Sequence, residues 1–198
     1  IYAAVGIHPE ETISSSFQFS SSNLEKLTTH NRDYVVAIGE IGIDMSTADL
    51  RVKINQQKEL FRAQCELALK LNLPVIIHTR NSFTQTWEVL STLPKMPKGQ
   101  FHCFSIDEDA LKTVLDHGFY VSFCGNITWS KRVAGLVSLV PSDQLLLETD
   151  SPFMLPNKRN EPANVTIYAT LIANLQGQTL KVIRQKTTQN AKKLFNLV

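Results

Sequence analysis

Leu73-Pro74-Val75-Ile76-Ile77-His78-Thr79-Arg80 decides how this chain folds. Val75, Ile76 and Ile77 are β-branched and consecutive, so the strand they make has no polar face. Strands of that kind belong to parallel sheets covered on both sides. The preceding segment, residues 56–71, places Leu60, Gln64 or Cys65, Leu67, Ala68 and Leu71 at spacings of three and four. That is one apolar face of a helix. A helix that leads through Pro74 into a buried strand is half of a β/α crossover unit.

The same grammar repeats outward in both directions. Strands are expected at residues 1–5, 34–38, 74–77, 100–104, 119–123 and 144–147. Helices are expected after the Ser-rich segment 14–22, through about residue 30, and at 56–71, 82–93, 107–117, 130–139, 163–175 and 179–195. Alternation of this kind defines an α/β fold with a parallel sheet. Six strand–helix units are three-quarters of a (β/α)8 TIM barrel, a fold of eight units and typically about 250 residues. The expectation is therefore such a barrel, with about its first two β/α units absent from this chain and residues 1–198 forming one domain. The first residue, Ile1, is not Met and falls inside a strand-like run.

Composition narrows the class further. The 198 residues are 43% hydrophobic and 19% charged, with a net charge of +2. These are values of a globular protein, without the strong basicity of a dedicated nucleic-acid scaffold. No apolar run is long enough to span a bilayer, and no secretory leader is expected. Cys65, Cys103 and Cys124 form neither an even set nor a CxxC pair, so no disulfide framework or zinc knuckle is expected. The thiols read as buried apolar groups in a reducing, cytoplasmic protein. GxGxxG, GxxxxGK[ST] and GxSxG are all absent. That sets aside dinucleotide binding, a P-loop and a serine nucleophile elbow.

The chemistry lies at the strand ends. His8 comes directly after the first strand, Glu40 after the second, His78 after the third, His102 after the fourth and Asp150 after the last. In a β/α barrel these carboxyl ends open on one rim, where active sites form. One such residue alone is an ordinary loop hydrogen-bonding group. Five together are not, and three of the five histidines of the chain are among them. The other two, His30 and His117, fall at helix C-termini, where the helix dipole favours them. Imidazoles with carboxylates suit divalent Zn, Mn or Mg, which lower the pKa of bound water. A Cys103–His102 nucleophilic pair is disfavoured, because adjacent strand residues point to opposite faces.

Five ordered segments also carry a family resemblance. They are Gly6-Ile7-His8-Pro9, Gly39-Glu40-Ile41-Gly42-Ile43-Asp44, Leu73 to Arg80, His102-Cys103-Phe104-Ser105 and Glu148-Thr149-Asp150-Ser151-Pro152. Together they resemble the signatures of the TatD-related metal-dependent deoxyribonucleases, TIM-barrel metal-dependent hydrolases. Arg159-Asn160-Glu161-Pro162 and Thr188-Gln189-Asn190-Ala191 resemble family features as well.

The resemblance implies hydrolysis of phosphodiester bonds in DNA, exonucleolytically and from the 3′ end. It implies Glu40, His78, His102 and Asp150 as metal ligands, Glu40 being shared between two divalent ions. It also implies His8 close to the ions, touching substrate phosphate or water. Asp150 is the expected group to orient or deprotonate the water, and Arg80 the expected phosphate contact, since guanidinium pairs with phosphate in a bidentate way. Asp44, Asn160 and Glu161 are expected to organise loops. Lys131, Arg132, Lys158 and Arg159 are candidate phosphate contacts, the first two reading equally as a solvated helix face.

The sequence departs from the family in lacking the His-x-His of its opening strand, so one of the two metal positions is expected to be incomplete. Glu10 stands where a second His is common and Met45 where an aromatic is usual. The expected partner is a DNA substrate, with no membrane and no obligate protein partner. Two rival readings remain: an amidohydrolase-type enzyme on an amide or ester, such as an aminoacyl-tRNA deacylase, and a catalytically impaired truncated barrel.

Overall fold

A computed structural model describes residues 1–197. The chain divides into two compact units, Ile1–Gln100 and Phe101–Val198. Strand order follows chain order, and the six strands and the longer helices lie where the sequence places them.

The first unit contains β1 (Ala3–Val5), α1 (Ser21–His30), β2 (Val35–Asp44), α2 (Ala48–Val52), α3 (Ile54–Leu71), β3 (Val75–Arg80) and α4 (Phe83–Ser91). β1 pairs with β2 and β2 with β3, both in parallel. Ala37, Ile38, Ile41, Ile43, Val75 and Ile77 are all fully buried, as strands covered on both faces require. α3 lays Leu60, Phe61, Cys65, Leu67 and Ala68 into the core. It ends at Asn72 in the left-handed conformation, where the backbone N–H of Leu73 returns to Ala68 O, and Pro74 prevents its continuation.

Two findings differ from the expectation. β2 does not stop at Ile38; it runs ten residues, through Glu40 to Asp44. The glycines at 39 and 42 and the charge at 40 break the apolar run, but pairing with β3 overrides that local signal. Glu40 and His78 therefore sit within strands and not after them. The short helix α2 and a 3-10 turn at Pro9–Ile13 were also not anticipated.

β2 carries an irregularity between Ile38 and Ile41. Ile38 pairs with Val75 and Ile41 with Ile77, so three steps on β2 match two on β3. The extra residue is a bulge, a device that re-aims a side chain. Glu40 lies in it.

α3 also carries two buried glutamines that do not belong to the apolar core. Gln64 accepts from Ile7 N at 2.7 Å and donates to Ile7 O at 3.1 Å, pinning the residue before His8. Gln57 accepts from Asp44 N at 2.8 Å and donates to Asp44 O and Leu50 O at 3.0 and 2.8 Å. The Gln57→Leu variant keeps the volume but removes the side-chain partner of the buried Asp44 N and O and one of two donors to Leu50 O, which keeps Lys53 N. It is expected to lower unfolding free energy by about 2 kcal/mol or more, since an unpaired buried group costs about 1–3 kcal/mol. Urea titration followed by circular dichroism measures it, and a loss within error would show that the clamp is dispensable.

β4 (Gly99–Phe101) spans the division. The second unit contains α5 (Glu108–Asp116), β5 (Tyr120–Phe123), α6 (Lys131–Val137), β6 (Leu145–Leu147), α7 (Val165–Leu175) and α8 (Leu180–Phe195). β5 and β6 are parallel, with Phe123 opposite Leu147. Asp107, Ser130 and Thr179 cap their helices by accepting the backbone N–H three residues on. Asn190 fastens α8 beneath β6 by donating to Ser142 O and Leu145 O at 2.8 and 2.7 Å. Leu194 packs there against Tyr120 and Leu146. Among the described residues no helix is long and apolar enough to cross a membrane.

Candidate active site

The first unit brings three of the expected residues together. His8 stands after β1, and its Nδ1 accepts from Glu10 N at 3.3 Å. Its Nε2 lies 3.7 Å from Glu40 Oε1. The same Glu40 oxygen meets His78 Nδ1 at 2.7 Å. The His8 and His78 rings approach edge to face, with centroids 4.6 Å apart. One ligand atom from each of His8, Glu40 and His78 can be chosen so that all lie within 4.8 Å of one another.

Behind them stands Asp44, read from sequence as a loop organiser. It does that in part, accepting from Ser46 N at 2.7 Å. It is also fully buried, with Oδ2 3.0 Å from His78 Nε2. Burial pushes the Asp44 carboxyl up, but the hydrogen bonds with His78 and Ser46 outweigh it and hold the group at about 2. Asp44 is therefore ionised at neutral pH, and it fixes the His78 ring and turns Nδ1 toward Glu40. A carboxylate behind a histidine is the usual support of an imidazole ligand.

This donor set fits a divalent cation. Two imidazoles and a carboxylate converge, one imidazole is oriented by a second carboxylate, and clustered negative charge without a counter-ion is unfavourable.

The second unit holds the other two expected ligands. His102 and Cys103 lie beyond β4 in a turn, so the strand-alternation argument that separated them does not apply. His102 Nδ1 lies 3.2 Å from Glu148 Oε2, and the other oxygen of Glu148 accepts from Cys103 N at 2.6 Å. Asp150 has a left-handed backbone (φ 56°), and its carbonyl accepts from Phe153 N at 2.7 Å. Asn160 is buried and ties this loop, donating to Thr149 O at 2.6 Å and accepting from Tyr168 Oη at 3.1 Å.

Glu148 was missed from sequence because it adjoins the more conspicuous Asp150. Its one signal was a charge closing an apolar strand. Cys103 departs from the reading of buried apolar thiols: it is half-buried and its Sγ lies 3.0 Å from Cys124 Sγ. The contact with Cys124, burial and the charges of Glu148 and Asp150 push its thiol far up, which leaves no thiolate nucleophile at neutral pH.

Of the remaining candidates, Arg80 closes β3 and is exposed. Arg132, also exposed, donates to Ser105 O at 2.7 Å and to Ile106 O. His30 and His117 cap helix C-termini, each ring touching a carbonyl four residues back.

A parallel α/β fold presenting imidazoles and carboxylates in contact is the build of a metal-dependent hydrolase, and comparison with known proteins agrees. Residues 1–196 match the family described as TatD related DNase. The chain is 38% identical to the Bacillus subtilis (strain 168) protein YabD, an uncharacterized metal-dependent hydrolase, over 100% of this chain and 78% of that protein. It is 33% identical to the 3′-5′ ssDNA/RNA exonuclease TatD of Pantoea ananatis, with the same coverage of each. Among solved structures, the TatD homologue YJJV from Escherichia coli K12 superposes with a TM-score of 0.89 at 27% identity, covering 100% of this chain and 77% of the other. The chain belongs to the TatD-related DNase family of metal-dependent hydrolases.

Proposed function

We propose that this single hydrolase domain is a divalent-metal nuclease that hydrolyses phosphodiester bonds of DNA, working from the 3′ end. The observation that supports it most is the His8–Glu40–His78 cluster, backed by the buried anion Asp44. The relative from Pantoea ananatis supplies the substrate class. Glu40 and His78 are proposed as ligands, with His102 and Asp150 added on the family resemblance.

A bound Mg, Mn or Zn ion would supply Lewis acidity and a water acidic enough to attack phosphorus. The chain's own groups do the rest. Asp44 fixes the His78 ring so that Nδ1 stays on the Glu40 side. Gln64, by pinning Ile7, sets the position of His8, whose Nε2 faces Glu40 and is placed to donate to a phosphate oxygen. Asp150 is proposed to accept the proton of the attacking water. Arg80 is proposed to pair with a flanking phosphate.

The test uses 3′- and 5′-labelled single-stranded DNA with the purified chain, Mg²⁺ or Mn²⁺, and EDTA controls. Stepwise shortening of the 5′-labelled strand is expected, abolished by EDTA and restored by excess metal. Because phosphate contacts release counterions, KM is expected to rise with salt. Inert DNA beside metal-dependent hydrolysis of an aminoacyl ester would overturn the substrate assignment and leave the metal site standing.

A further inference from the structure

The second unit carries another convergence of ligand atoms, and its two thiols take no part in the proposed nuclease reaction. Cys103 Sγ, Cys124 Sγ and a carboxylate oxygen of Glu148 lie within 4.8 Å of one another. The topology makes this so. Phe123 and Leu147 are opposite each other on parallel β5 and β6, and Glu148 N donates to Phe123 O at 3.3 Å, so Cys124 and Glu148 leave the sheet side by side. Phe104 N donates to Ser122 O at 2.9 Å, which draws the turn carrying Cys103 over the same strand end. Glu148 then holds that turn by accepting from Cys103 N.

A separate observation concerns Asn126. The residue is 6% exposed, and its Nδ2 lies 3.5 Å from Cys103 Sγ. Its Oδ1 is buried and, among the described residues, has no hydrogen-bond partner. A buried carbonyl oxygen without a partner is uncommon in folded proteins and unfavourable. It is the other end of this amide, Nδ2, that faces the sulfur of Cys103. A half-turn of the amide places that oxygen where Nδ2 now faces the sulfur.

We propose that Cys103, Cys124 and Glu148, completed by Asn126 Oδ1, form a site for a thiophilic divalent cation of the Zn²⁺ class. Two thiolates with two oxygens make a four-donor set, and thiolate selects Zn²⁺ over Mg²⁺ or Ca²⁺. The cation deprotonates the thiols as it binds. Two S–H bonds break, two metal–sulfur bonds form and two protons pass to the buffer. No oxidation state changes. The site is chemically unlike the oxygen- and nitrogen-donor cluster of the first unit, so it responds to a different metal.

Cd²⁺ is the probe, because a cadmium–thiolate bond has an ultraviolet charge-transfer band that oxygen and nitrogen ligands lack. The chain, kept reduced with a phosphine, is titrated with Cd²⁺ with and without excess Mg²⁺. One saturating equivalent that produces the band, releases two protons and survives Mg²⁺ is the expected result. The band falls by about half or disappears in Cys103→Ser and in Cys124→Ser, and persists in Cys65→Ala. Glu148→Gln keeps the band and weakens the affinity, on the order of tenfold or more. Absence of the band, or its persistence at full intensity in Cys124→Ser, overturns the proposal. Should the serine variants fail to fold, ¹¹³Cd NMR of the wild-type chain decides. A resonance in the two-sulfur range supports the site, and one confined to the oxygen–nitrogen range refutes it.

Discussion

Glu40→Gln is expected to abolish metal-dependent DNA cleavage while leaving the fold in place. The amide has the size of the carboxylate, so the bulge in β2 that aims residue 40 is undisturbed. What disappears is the charge that faces His78 Nδ1 at 2.7 Å and His8 Nε2 at 3.7 Å. A neutral amide oxygen is a weaker ligand for a divalent ion than a carboxylate, because it brings no charge. The predicted fall in kcat/KM is ~10³-fold or more, roughly 4 kcal/mol of transition-state stabilisation. Calorimetric titration with Mn²⁺ should show a parallel loss of affinity. Circular dichroism and the urea midpoint should match wild type. A variant that folds and keeps more than a tenth of the activity would remove Glu40 from the site and the first-unit cluster with it.

The sequence already marked Glu40 and His78 as candidate ligands, although it misplaced them within their elements. Ligand-type residues at the ends of apolar runs are visible in one dimension because each run announces itself. The supporting groups are not, because their partners lie far away along the chain. Asp44 is 34 residues from His78, and Gln64 is 57 from Ile7. Read locally, Asp44 is one more polar residue closing a strand, and Gln64 competes with Cys65 for the same helical face. Yet Gln57 and Gln64 are seven apart, on the face that also buries Leu60 and Phe61. Two amides in an apolar helical stripe are a signal that something polar lies beneath. Glu148 escaped for the opposite reason, since a stronger candidate stood two residues away. The bulge at Glu40 is a property of strand pairing, and no single-strand pattern encodes it.

That pairing leads to the largest structural effect expected in the first unit. Gly42 lies opposite His78 in the β2–β3 register, with φ at 150°, a conformation that residues bearing a Cβ rarely adopt. A Cβ built there would overlap the carbonyl oxygen of His78 itself. Neither atom belongs to a flexible side chain, so relief requires β2 and β3 to separate. Gly42→Ala is therefore expected to lower unfolding free energy by about 3 kcal/mol or more, combining backbone strain with lost packing of Ile41, Ile43 and Ile77. For a chain of this size that is on the order of a 10 °C fall in Tm. The same shift moves His78 relative to Asp44 and Glu40, so Mn²⁺ affinity should fall in the folded fraction. Thermal unfolding with and without Mn²⁺ separates the two effects, because a bound ion stabilises in proportion to its affinity. Wild type should gain several degrees from saturating Mn²⁺ and Gly42→Ala much less. If Gly42→Ala melts within about 2 °C of wild type, less than 1 kcal/mol at this size, β2 and β3 are not packed backbone to backbone at Gly42. The positioning of His78 would then have to come from Asp44 alone.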